Sequence, residues 1–160
     1  MSDSRFDLTV AAASIHWMDK DLLFPRLIEH ASPGHVFAIV TGDDAFEPPW
    51  QDDWVAFLQR WIPALTGSPY DLARIESEWE STGGYLDIVG REYALDTFEQ
   101  NVEDFIRCHH SRDSFSARKL GDRARHFDAE LRVILTPHSR GENLSFQVRT
   151  KLVWGTLRRA

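Results

Sequence analysis

A chain of 160 residues, 42% hydrophobic and 27% charged, is long enough for one globular domain with a real core and too short for two ordinary ones, so a single domain over residues 1–160 is expected. The formal net charge of -7 leaves no basic footprint for phosphate backbones, which argues against a nucleic-acid partner. There is no run approaching the roughly 20 apolar residues of a membrane span and no secretory pattern at Met1–Asp7. A lone cysteine, Cys108, fits a reducing compartment, and together these features predict a soluble, cytoplasmic protein with no membrane partner.

Phe6–Ala13 (FDLTVAAA) is a mostly apolar run of strand length without alternation, the pattern of a strand covered on both faces inside a parallel sheet. From about Asp19 to His30, Leu23, Leu27 and Ile28 share a helical face, with Asp19 or Asp21 as N-cap; Pro25 predicts a late start or a kink. Ser32-Pro33-Gly34 breaks that helix, and His35–Val40 (HVFAIV) reads as a second strand. Strand, helix and strand at this spacing make a parallel βαβ unit.

After an acidic loop over 43–49, Trp50, Trp54, Phe57 and Trp61 fall on one face of a helix that Pro63 to Gly67 ends. Residues 69–84 read as a further helix or irregular segment around Leu72, Ile75 and Trp79. Tyr85–Val89 resembles a strand that Gly90 terminates or bulges. Asp96 or Thr97 is placed to cap a helix to about His109, with Phe98, Val102, Phe105 and Ile106 inward. Ser114 or Ser116 is placed to cap another, carrying Leu120, Ala124, Phe127, Leu131 and Ile134 until Pro137. Leu144, Phe146, Val148, Thr150, Leu152 and Trp154 then alternate with polar residues, predicting a final strand near a sheet edge.

The stretch FDLTVAAASIHWMD, its helix, and ASPGHVFAIVTG resemble the fourth strand, following helix and fifth strand of class I S-adenosylmethionine-dependent methyltransferases of the small-molecule type. EDFIRCHHSRDSF, the helix through FDAEL, and LSFQVRTKLVWG resemble the closing part of the same family, so that the likeness spans nearly the whole chain. It implies an α/β fold class: a partial Rossmann-like methyltransferase fold, parallel strands with a final antiparallel strand, the first strands missing. The family cradles its cofactor on a glycine-rich turn after the first strand, with an acid after the second, and neither element is in this sequence. The resemblance therefore implies S-adenosylmethionine only if the missing half is supplied.

By the same resemblance Ala12, Ala13, Ser14 and Trp17 line the methionine side of the cofactor, and His16 stands where the acceptor meets the methyl group. His16 reads equally as a strand-end cap, and Trp17 as packing. The resemblance also implies a substrate-recognition helical insertion over 43–84, in which Trp50 and Trp54 read either as the wall of a small-molecule acceptor pocket or as ordinary core. Cys108-His109-His110 is not a compact ligand set, because adjacent helical residues point about 100° apart, so no metal is expected. Two functions follow: a methyltransferase acting on a small-molecule acceptor, or a non-catalytic remnant kept as an association module. Under either, the strand Phe6–Ala13 loses its neighbour on one side, and each buried unpaired backbone group costs about 1–3 kcal/mol. A homodimer, a complex with an N-terminal-half protein through that strand, or poor solubility is expected.

Overall fold

A computed structural model describes residues 5–42, 44–71 and 82–158. The contacts divide the chain into two compact units: 1–44 with 71–95 and 149–160, and 45–70 with 96–148. The segment expected as helix or irregular chain over 69–84 lies largely outside the described residues.

In the first unit β1 (Phe6–Ala12) pairs in parallel with β2 (Ala31–Thr41), Thr9 beside Phe37 and Ala11 beside Ile39. Between them runs α1 (Lys20–His30), whose N-cap Asp19 accepts from the Asp21 and Leu22 amides at 3.1 and 3.2 Å. Pro25 sits inside α1 and does not delay its start. Phe24, fully buried, carries α1 onto Ala11, Ile15, Phe37, Ile39 and Leu86, with Leu23 and Leu27 packed alongside. The second part of β5 (Asn143–Leu157) runs antiparallel to β2, Ile39 opposite Val153. Parallel strands with a closing antiparallel one are as expected from the sequence.

β1 itself departs from expectation. Only the face of Thr9 and Ala11 meets the α1 core; on the other face Phe6, Leu8 and Val10 are each more than half exposed. β1 is the terminal strand in the order β1-β2-β5-β3, so that among the described residues one edge is also unpaired. An apolar run without alternation identified a strand built for two-sided cover, but the covering layer is not in these residues.

The second unit holds α2 (Gln51–Thr66), β3 (Ala45–Phe46), α3 (Val102–His109), α4 (Ala117–Leu120) and α5 (Ala124–Leu135). Gly67, at φ 74°, closes α2 by donating its amide to the Pro63 carbonyl at 2.9 Å. Phe127, Leu131, Leu135 and Leu144 are wholly buried among Trp54, Phe57, Trp61, Phe105 and Phe115. The first part of β5 pairs there with β3, Ala45 opposite Val148.

Three further expectations need correction. β4 (Leu86–Asn101) does not stop at Gly90: a Cβ there would lie 2.2 Å from the Trp154 ring, so glycine makes room for the indole and the strand continues. The helix then starts later, at Val102, capped by Asn101 (2.9 Å to the Glu103 amide) instead of Asp96 or Thr97, and Phe98 is a half-exposed strand residue. Finally β5 is an interior strand, with β2, β3 and β4 as partners. Its alternation holds at Leu144 and Phe146 but changes phase, so that Val153 and Gly155 are the buried residues later on.

Candidate functional site

In an open α/β sheet, ligands bind beyond the carboxyl ends of the parallel strands. In the first unit that end of β1 is a tight turn. The Ala13 amide donates to the Val40 carbonyl at 2.9 Å, holding the strand to its last residue, and Ala13 itself takes the left-handed conformation, φ 45°. The chain then enters one 3₁₀ turn, Ile15–Trp17, closed by the Trp17 amide on the Ser14 carbonyl at 3.0 Å. Ile15, 2% exposed, points into the α1 core and anchors the turn.

The residues on either side of that anchor are presented outward. Ala12 and Ala13 are exposed, Ser14 half-buried, and His16 exposed with its ring 4.8 Å from the Trp17 indole at 44°. Trp17 keeps 64% of its surface in solvent. All five residues singled out from the sequence at this turn thus lie on one short accessible segment, and small side chains lead into it. Met18 and Leu22, 47% and 61% exposed, extend the apolar surface into the start of α1 and were not singled out from the sequence. Adjacent to Leu23, Leu22 falls off the core face of the helix, and that misplacement was the available signal.

Asp21 in the first turn of α1 accepts a hydrogen bond from the Tyr85 hydroxyl, and Tyr85 stacks on Phe24 at 4.7 Å. The carboxylate beside it raises the phenol above its ordinary pKa, so the hydroxyl stays a donor.

At the opposite end of β2, residues 31–35 with Thr156 and Leu157 line a depression of about 300 Å³. Buried His35 exchanges a hydrogen bond with the Thr9 hydroxyl at 2.9 Å. Burial pushes its imidazole below the usual histidine range, and Asp7 pulls it partly back.

Trp50 and Trp54 are placed differently. They belong to the second unit, 1% and 8% exposed, Trp50 edge-on to Phe105 at 5.9 Å and Trp54 stacked on Phe57 at 5.4 Å. Their surface is taken up by packing, the core alternative of the two that their spacing left open. In the Cys108-His109-His110 run, Cys108 is exposed, whereas His109 is buried 4.7 Å from Trp54. His110 contacts Asp128 at 2.8 Å and the Phe115 carbonyl at 3.2 Å. The three side chains serve three separate environments.

No protein-family profile matches the chain, and no curated protein matches it in sequence. Among solved structures, a candidate type II methyltransferase from Anaeromyxobacter dehalogenans aligns with a TM-score of 0.61 at 20% identity, over 95% of this chain and 65% of that one. A candidate methyltransferase from Bacillus halodurans C-125 aligns at TM-score 0.43 and 13% identity, over 96% of this chain and 65% of that one. A functionally unknown protein from Deinococcus radiodurans R1 aligns at 0.45 and 13%, over 97% and 52%. The first of these likenesses gives the fold: a partial, Rossmann-like methyltransferase architecture. The chain spans 65% of the length of that neighbour.

Proposed function

We propose that this chain is the acceptor-side part of an S-adenosylmethionine-dependent methyltransferase acting on a small molecule, in the cytoplasm, with the cofactor held mainly by a polypeptide carrying the glycine-rich unit. The observation behind this reading is the exposed turn Ala12–Trp17 at the carboxyl end of β1, in a fold shared with a candidate methyltransferase.

The residues present fit one side of such a cofactor. Ala12 and Ala13 offer small side chains and an open backbone for the methionine part, and Ser14 offers a hydroxyl. They do not fit the rest, since the sequence has no glycine-rich turn followed by an acid to take the ribose. The cofactor, when bound, supplies a methyl group on a sulfonium. What this chain contributes is positional: an in-line displacement gains from held geometry, and the rigid turn fixes the direction of approach. His16 is the group at this turn suited to take the acceptor's proton, its ring 4.8 Å from the Trp17 indole.

A second reading, a non-catalytic association module, is favoured by the apolar residues Phe6, Leu8 and Val10 on the open face of β1. Calorimetric titration of the folded chain with S-adenosylhomocysteine separates the two, because it needs no known acceptor. Saturable binding that Ala13→Trp abolishes supports the methyltransferase reading. Absence of binding by a folded sample, alone and after mixing with a polypeptide carrying the glycine-rich unit, assigns the second.

A further inference from the structure

Two cations converge on one exposed ring in the first unit. The Arg149 guanidinium carbon lies 5.3 Å and the Lys151 ammonium 6.0 Å from the centroid of the Tyr93 ring, and 54% of Tyr93 is exposed. Both cations stand on β5, and Tyr93 on its neighbour β4. Residues two apart on a strand share a face at roughly 7 Å, so the charges repel each other. The electron-rich ring offsets part of that repulsion and leaves the pair electropositive. Arg91, exposed and two residues before Tyr93, falls on the same face by alternation. These cations gather in a chain whose formal net charge is -7.

The register places this cluster at the end of the sheet where the exposed turn lies. Ala12 is beside Val40, and Val40 is opposite Leu152; one step further along β2, Thr41 is opposite Lys151. Lys151 is therefore level with Ala13, the residue that opens the turn, across two strand spacings or roughly 10 Å. Its face of the sheet is also defined. Ile39 packs in the core under α1, Val153 is its cross-strand partner, and Lys151, two residues from Val153, falls on that same face. The span from turn to cations matches the length of a small molecule.

We infer that Arg149 and Lys151, held together by Tyr93, are the specificity site for the acceptor, and that the acceptor carries a carboxylate roughly 10 Å from the atom that takes the methyl group. Arg149 offers a planar fork to the two oxygens, and Lys151 adds a point charge beside it. A carboxylate suits the cluster better than a phosphate. Phosphate sites draw on the amides of a helix N-terminus or a glycine-rich loop, whereas both cations here rise from a strand. The acceptor role rests on the methyltransferase reading, while the charge of the ligand rests on the cluster alone.

Amide chemical shifts of the full chain, titrated with phenylacetate and separately with the uncharged phenylacetamide, test the charge. Phenylacetate should move the Tyr93, Arg149 and Lys151 amides saturably, with a dissociation constant of roughly 1 mM, and phenylacetamide should leave them in place. Inorganic phosphate at equal ionic strength should bind more weakly than phenylacetate. Arg149→Gln combined with Lys151→Gln should weaken phenylacetate about tenfold or more. Arg149→Lys combined with Lys151→Arg keeps both charges and should retain most of the binding, which separates loss of charge from loss of fold. Equal shifts from phenylacetamide, tighter binding of phosphate, or phenylacetate binding indifferent to the double glutamine variant would each overturn the inference. Failure of phenylacetate in a sample that binds S-adenosylhomocysteine would overturn the carboxylate site alone. Failure of S-adenosylhomocysteine, with the completing polypeptide present, would overturn the acceptor role.

Discussion

The two units bury their aromatic residues to different ends. In the second, Phe127 touches Phe57, Trp61, His110 and Phe115, and apolar side chains from α2, α3, α4, α5 and β5 enclose it. In the first, Phe24 reaches Phe37 and Tyr85 from one side of a sheet whose other side leaves Leu8 and Val10 in water. A closed core resists change everywhere, whereas a one-sided core has a face where substitution is cheap and association is favoured.

The sharpest way to break this comparison is truncation of the two phenylalanines. Phe127→Ala should cost about 3–5 kcal/mol, since a wholly enclosed ring leaves a cavity its neighbours cannot fill. Denaturant unfolding followed by tryptophan fluorescence reads it, because Trp50, Trp54 and Trp61 lie in the same cluster. Phe24→Ala should cost less, about 3 kcal/mol, read by hydrogen exchange of the β1 and β2 amides. Leu8→Ala should change stability by no more than about 0.5 kcal/mol in monomeric chain. Equal losses at Phe24 and Phe127, or a large loss at Leu8, would mean that the first unit is as closed as the second.

The sequence made the closed unit easier to read than the open one, with instructive exceptions. The spacing of Trp50, Trp54, Phe57 and Trp61 was legible because helical periodicity and burial coincide there. It could not say whether the face met core or ligand, since both demand aromatics at the same interval. Asp19 as a cap was legible from local chemistry, whereas Ala12, Ala13, Ser14, His16 and Trp17 were singled out only through the family resemblance. The open face of β1 was not, because an apolar run records what a strand is suited to bury against and not whether that layer is present. Nor was the length of β4: Gly90 signals a break in one dimension, and only the Trp154 ring lying over it explains why the strand goes on.

A change of pH sharpens the comparison further, since a buried histidine sits in the first unit's sheet. His35 has a lowered pKa in the folded chain, mainly from burial. As pH falls below 6.5, the unfolded chain takes up a proton that the folded chain still refuses, so stability is lost in that direction and is fully present above it. Protection factors of the β1 and β2 amides, taken relative to the intrinsic exchange rate at each pH, should fall between neutral pH and about pH 5. His35→Gln, which keeps a hydrogen-bond partner for Thr9, should flatten the dependence. An unchanged slope in that variant would assign the effect to another group.

The smallest expected effect lies on the outside of the closed unit. Arg132 on α5 grips Glu103 on α3 with two bonds, 2.6 and 2.7 Å, and holds the carboxyl below its usual range. A lowered carboxylate pKa contributes above the unfolded value of 4.5 and is lost as pH falls through the folded one. Two-point geometry argues for a contribution, but the Arg132 and Glu103 side chains are 44% and 53% exposed, and water screens what the fork gains. Glu103→Gln should therefore cost at most about 1 kcal/mol in low salt and less as salt is raised. A larger, salt-independent loss would show that this surface pair holds α3 against α5, a task the packing of Phe105, Ile106 and Leu131 is otherwise sufficient to perform.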